Sequence, residues 1–197
     1  MSQSQLLSEL AHLPRQRALI DDMMSAFADN PHVLAGVLVG SLAGGRGDRV
    51  SDADVLFFTQ PDCHLTECDV SYTQFEAGKH LIYQLAGEHS AHARFKKYIF
   101  DDFTSAEIHC LDIHEPFELF QPFTVLFDKA NVIAPRMSDK PAPTHDQFEP
   151  FIYGDQGLTW ELFDCIKWLS RGKHQLAKAY LQRLGDKLAQ AKASEEQ

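Results

Sequence analysis

Two apolar runs rich in β-branched and aromatic residues, Val33–Val39 and Asp52–Thr59, bracket twelve residues that include Gly40, Gly44, Gly45 and Gly47. Runs of this length bounded by turn-forming residues read as strands. That glycine-rich connection reads as a loop. The chain must therefore pass from one buried strand through a permissive turn into another. Alternate side chains of a strand share a face, so Asp52 and Asp54 project together from the second strand, their Cα atoms about 7 Å apart.

Two like charges on one face cost energy unless a cation or a shared proton neutralises them. Hard carboxylate oxygens suit Mg²⁺ or Mn²⁺, which complete their shells with water and substrate phosphate oxygens. Gly40 and Ser41 sit where the first strand ends. Glycine there lets backbone N–H groups approach an anion, and the serine hydroxyl adds a donor. A phosphate cradle facing a metal-binding acid pair describes phosphoryl or nucleotidyl transfer.

The rest of the chain supplies a scaffold. Its 197 residues are 44% apolar and 23% charged, enough core for one domain plus an appendage. Arg15–Ala28 carries Leu19, Ile20, Met23, Met24 and Phe27 at helical spacing, after a short helical stretch through Leu6, Leu7, Leu10 and Leu13. A helix is expected over Thr73–Leu85, strands over Phe95–Phe103 and Ala106–His114, and a strand, turn and short return over Pro122–Ile133. Prolines 135, 141, 143 and 150 mark a linker. Beyond it, Leu158, Leu162, Cys165, Ile166 and Leu169 form one helical stripe and Leu176, Tyr180, Leu181, Leu184 and Leu188 a second. Two such stripes predict an antiparallel helical pair packed on the first domain.

A net charge of −10 disfavours duplex nucleic acid as a partner, because phosphate neutralisation dominates that affinity. No uncharged run is long enough for a membrane helix, and the expected location is cytoplasmic. Cys63, Cys68, Cys110 and Cys165 read as reduced thiols. Cys63 and Cys68 with His64 lack the matching downstream pair of a structural zinc site.

The segment Val39-Gly-Ser-Leu-Ala-Gly-Gly-Arg-Gly-Asp-Arg-Val-Ser-Asp-Ala-Asp-Val-Leu resembles the nucleotidyltransferase motif of the DNA polymerase β superfamily. It is most similar in pattern to the aminoglycoside and lincosamide adenylyltransferases, on Gly40, Ser41, Ala43, Gly45, Asp48, Ser51, Asp52 and Asp54. Phe127-Asp-Lys, and Trp160 through Ala177, resemble later segments of the 6-adenylyltransferase type. The resemblance implies an α+β fold: a mixed β-sheet nucleotidyltransferase domain flanked by helices over residues 1–134, a Pro-rich linker over 135–150 and a C-terminal helical domain over 151–197. It implies a hydroxyl of a small acceptor attacking the α-phosphate of a nucleoside triphosphate, ATP being the expected donor, with pyrophosphate released and Mg²⁺ or Mn²⁺ as cofactor.

The family pattern also places a third acid on a later, adjacent strand. Glu107 and Asp112 are the candidates; their opposite parity means a regular strand aims only one at the metals, and Glu107 is favoured. Asp52, Asp54 and Glu107 are thus the expected catalytic and metal-binding set, with Gly40, Ser41, Arg46, Ser51 and Lys167 on the nucleotide. Arg46 is open between a phosphate contact and a salt bridge to Asp48. His109 shares Glu107's parity and reads either as lining the site or as a hydrogen-bonded neutral imidazole. Trp160, Phe163 and Trp168 read as core. A nucleotidyltransferase acting on a partner protein, and a non-catalytic nucleotide-binding member of the fold, are the alternatives. The acceptor's identity and the oligomeric state have no signature in the sequence.

Overall fold

The computed structural model describes residues 10–144 and 148–195, so Leu6 and Leu7 lie outside the described residues. A turn of 3-10 helix, Leu10–His12, leads through Leu13 into helix α1, Pro14–Phe27, with proline in the first turn, where its missing N–H costs nothing. Strand β1, Val33–Val39, runs straight into a single helical turn, α2, Gly40–Ala43, and the glycine-rich loop returns the chain as β2, Ala53–Thr59. Helix α3, Thr66–Glu76, precedes strands β3, Leu81–Ser90, β4, Ala93–Phe100, and β5, Ser105–Asp112. Short strands β6, Leu119–Gln121, and β7, Thr124–Asp128, follow, then a 3-10 turn at Ala134–Arg136 and strand β8, Met137–Pro141.

Six strands form one mixed sheet in the order β3-β4-β5-β2-β1-β7. Within this sheet β2 and β5 pair in parallel, Ala53 opposite Ala106 through Thr59 opposite Asp112, and the other neighbours are antiparallel. The α+β class expected from the resemblance is the class found. Strand β2 is buried on both faces. Ala53, Val55 and Phe57 join the core beneath α1 and α3, where Phe27 stacks on Phe57 at 4.1 Å and Tyr72 meets Phe27 edge-on at 5.4 Å. The Tyr72 hydroxyl donates to the Ile108 carbonyl at 3.1 Å, satisfying a buried polar group. Leu56 and Phe58 face the other way, against Ala35, Val37, Leu111, Phe123, Val132 and Ile133. Asp52 and Asp54 have that second parity, so they project from the face opposite α1 and α3.

Several expectations are corrected. The helix expected over Thr73–Leu85 ends at Glu76, because Gly78 takes φ 73° and turns the chain into β3. No return strand follows β7; Asp128 instead caps the turn, accepting N–H bonds from Val132 and Ile133. Residues 137–141, within the stretch read as linker, form β8 in parallel pairing with β6.

Contacts divide the chain between Pro141 and Ala142. The second unit contains helices α4, Gly154–Ser170, and α5, His174–Glu195. They pack through Trp168 and Tyr180, with ring centroids 5.2 Å apart. The buried Glu161 carboxylate accepts from the Tyr180 hydroxyl at 3.0 Å and the Phe151 N–H at 2.9 Å. The stripe on α4 differs from the expected one: Trp160, Phe163, Cys165 and Trp168 are buried, while Leu162, Ile166 and Leu169 are exposed. Aromatic rings bury more apolar area than leucine or isoleucine, and here they set the helix's rotation.

Candidate active site

Antiparallel pairing of β1 with β2 sets Val39 opposite Asp54, so the turn that follows Val39 lies over that aspartate. Gly40 adopts φ 72°, and a Cβ built on it would stand 2.8 Å from Asp54 Oδ2. Glycine is thus needed twice, for a left-handed backbone and for the close approach of main chain to carboxylate. Ser41 is exposed and its hydroxyl donates to Ser51 Oγ at 3.0 Å. Ser51 is buried; its Oγ also accepts from the Asp48 N–H at 2.9 Å and donates to Asp48 Oδ1 at 3.1 Å. One donor and two acceptor positions are all that a hydroxyl has. Ser51 therefore braces the glycine-rich loop beside Ser41.

Arg46 is exposed in that loop and its N–H donates to the Ser41 carbonyl at 3.1 Å. The Asp48 carboxylate accepts from Ser51 Oγ and the Val50 N–H. Lys167 lies in the second unit. It is buried there with its ammonium 2.6 Å from Asp164 and about 5 Å above the rings of Trp160 and Phe163.

The parallel register pairs Asp54 with Glu107, and the antiparallel register of β4 on β5 pairs Glu107 with Lys97. Paired residues share a face, so Asp52, Asp54, Glu107 and Lys97 project together. The buried Ser105 hydroxyl donates to Asp52 Oδ1 in a short hydrogen bond. Glu107 Oε1 lies 3.0 Å from Lys97 Nζ and 2.9 Å from His109 Nε2. Burial by itself would raise this carboxyl's pKa; the Lys97 ammonium and His109 outweigh it and hold Glu107 well below the usual carboxylate range.

Asp112 is at the wrong end of the strand. It pairs with Thr59, five residues or about 17 Å along β5 from Glu107. Its fully buried carboxylate accepts N–H bonds from Asp62 and His114 and lies beside the His114 and His64 rings, which holds together the loops at that end. Glu107 is the acid that shares the Asp52–Asp54 face.

The trio expected to gather metal does not close on itself. Among the described residues, the cluster whose ligand atoms all fall within 4.8 Å of one another is His89, Glu107 and His109. Three uncompensated carboxylates repel; Asp52 turns to Ser105, and Glu107 to Lys97 and His109. The donor chemistry still fits a hard divalent cation, since two oxygen-only ligands share a face beside a glycine turn that a Cβ would block. Lys97, Ser105 and His89 escaped the sequence reading. Their faces follow from strand register, which no local spacing announces.

No protein-family description matches the chain, and no curated protein does. Among solved structures the chain is similar to an aminoglycoside 6-adenyltransferase from Bacillus subtilis, at 17% identity over 82% of this chain and 59% of that one, with a TM-score of 0.39. It is also similar to a chain of the GLD-2/RNP-8 complex, at 17% identity over 55% of this chain and 38% of that one, with a TM-score of 0.34. The chain thus spans less than two thirds of either. The chain's own register brings Asp54, Glu107 and Lys97 into one row of the sheet, with Gly40 against Asp54.

Proposed function

We propose that the protein transfers a nucleoside monophosphate from a nucleoside triphosphate, ATP by preference, to a hydroxyl of a small molecule, releasing pyrophosphate. The observation that carries this reading is the approach of the Gly40 backbone to Asp54, which sets an anion-accepting turn against the acid pair. Asp52 and Asp54 would hold Mg²⁺ or Mn²⁺, with Glu107 beside them as third ligand or proton acceptor. When bound, the cation neutralises phosphate charge. The protein's own part is positioning. Backbone N–H groups at Gly40 and Ser41 orient the triphosphate, and Arg46 lends it positive charge. Such transfers depend on placement and electrostatics more than on covalent help from the protein.

Glu107 faces the same side as the aspartates, which favours catalysis over a non-catalytic nucleotide-binding role. A screen of hydroxylated acceptors for pyrophosphate release with MgATP tests the proposal, alongside calorimetric binding of a non-hydrolysable ATP analogue. Binding and turnover that vanish in Asp52→Ala/Asp54→Ala support it. No analogue binding by the unaltered protein, or undiminished turnover in the double variant, overturns it. A co-purifying protein that gains one nucleotidyl mass would make that partner the acceptor.

A further inference from the structure

We propose that His89, Glu107 and His109 form a binding site for a divalent transition ion of the Zn²⁺, Co²⁺ or Ni²⁺ kind, separate from the hard-oxygen pair Asp52–Asp54. Two imidazoles and one carboxylate come from the strands on either side of β4: His89 from β3, Glu107 and His109 from β5. Their ligand atoms lie within 4.8 Å of one another, and His109 Nε2 is 2.9 Å from Glu107 Oε1. Bonds of about 2.1 Å set neighbouring ligand atoms about 2.9–3.4 Å apart. The Glu107–His109 edge already has that length, and rotation of the exposed His89 ring closes the remainder.

The sheet is built to aim His89 here. Register between β3 and β4 slips between Glu88 and Ser90, leaving His89 at the bulge. Bulges of this kind redirect one side chain. Gly87, just before it, makes room for Phe95; a Cβ on Gly87 would meet the Phe95 ring at 2.6 Å. The His89 ring then stacks on Phe95 at 4.6 Å and on His109 at 5.2 Å, almost parallel to the latter.

Imidazole nitrogen selects borderline ions over Mg²⁺, which takes oxygen ligands. Lys97 opposes any cation here. Its ammonium lies 3.0 Å from Glu107 Oε1, the oxygen that also meets His109 Nε2. Glu107 also belongs to the proposed nucleotidyl-transfer site, so an ion bound here withdraws it and inhibits; that consequence alone rests on the transfer reading.

Titration of the full chain with Co²⁺ alone, followed by its visible absorption, and competition of Zn²⁺ against a chromophoric chelator test the site without nucleotide. One equivalent is expected to bind. His89→Phe, which keeps the ring stack, and Glu107→Gln should each weaken binding about tenfold or more. Lys97→Met should tighten it. Asp52→Asn/Asp54→Asn should leave it unchanged. Binding by His89→Phe equal to that of the unaltered protein overturns the proposal and leaves the rings as packing. Loss of binding in the double aspartate variant also overturns it, by placing the ion at the acid pair.

Discussion

Gly40 and Gly78 form a matched pair for testing whether the turn over Asp54 is used. Both hold left-handed backbone, at φ 72° and 73°, yet a Cβ at Gly40 meets Asp54 Oδ2 at 2.8 Å while one at Gly78 meets nothing within 4 Å. Alanine in that conformation costs about 1–2 kcal/mol. In a domain of this size that lowers Tm by about 3–8 °C, and both variants should lose it alike. The contact adds little to stability at Gly40, because Asp54 is half-buried and its short side chain rotates away. The effect on position is larger. Oδ2 must retreat by about 0.6 Å to reach ordinary contact at 3.4 Å, in a reaction where a displacement of about 1 Å costs about a hundredfold. Gly40→Ala should therefore lose about 10- to 100-fold in kcat/KM for nucleotidyl transfer, and Gly78→Ala almost nothing. Thermal melts and pyrophosphate release on the two variants read the two quantities separately. Equal retention of activity by both would refute the idea that main chain and carboxylate work as one unit.

Asp52→Asn and Asp54→Asn should each lower turnover by about 10²–10³-fold with the melt little changed, since electrostatic groups at such a centre contribute on that scale. Asp112 is predicted to matter for stability alone. Burial works against its charge, but the His114 and Asp62 N–H groups and the adjacent imidazoles hold its pKa below the usual aspartate value. Its contribution is therefore complete above the unfolded pKa of about 3.9 and is lost as pH falls through the folded value. Asp112→Asn should cost about 1.5–3 kcal/mol at neutral pH and flatten the acid limb of the unfolding profile below about pH 4; an unchanged limb refutes this. In the second unit, Glu161→Ala strands the Tyr180 hydroxyl and the Phe151 N–H and should cost about 3 kcal/mol in urea, read by helical circular dichroism. Glu161→Gln, which retains an acceptor oxygen, should recover much of that loss.

Much of the framework was legible along the chain. The apolar runs of β1 and β2, the helical periodicity of α1, and the glycines between the strands are local features, fixed by side-chain alternation and backbone sterics. The parity that joins Asp52 to Asp54, and separates Glu107 from Asp112, is equally local. The end of α3 was missed because one glycine at positive φ outweighed an apolar pattern that ran on past it. On α4 the aromatics that read as core, Trp160, Phe163 and Trp168, are buried, and they displace Leu162, Ile166 and Leu169 of the aliphatic stripe to the surface.

The amino-acid order by itself determined which side chains share a strand face, because alternation along an extended chain needs no knowledge of neighbours. It could not determine which strand lies beside which. The parallel pairing of β2 with β5, and the placement of β4 on β5, bring Asp54, Glu107 and Lys97 into one row from positions 43 and 10 residues apart. That row decides that Glu107, and not Asp112, faces the aspartates, that a lysine neutralises it, and that two histidines stand at its side. Pairing between strands distant in sequence is settled by burial of the whole sheet, a property of the folded chain and not of any short segment of it.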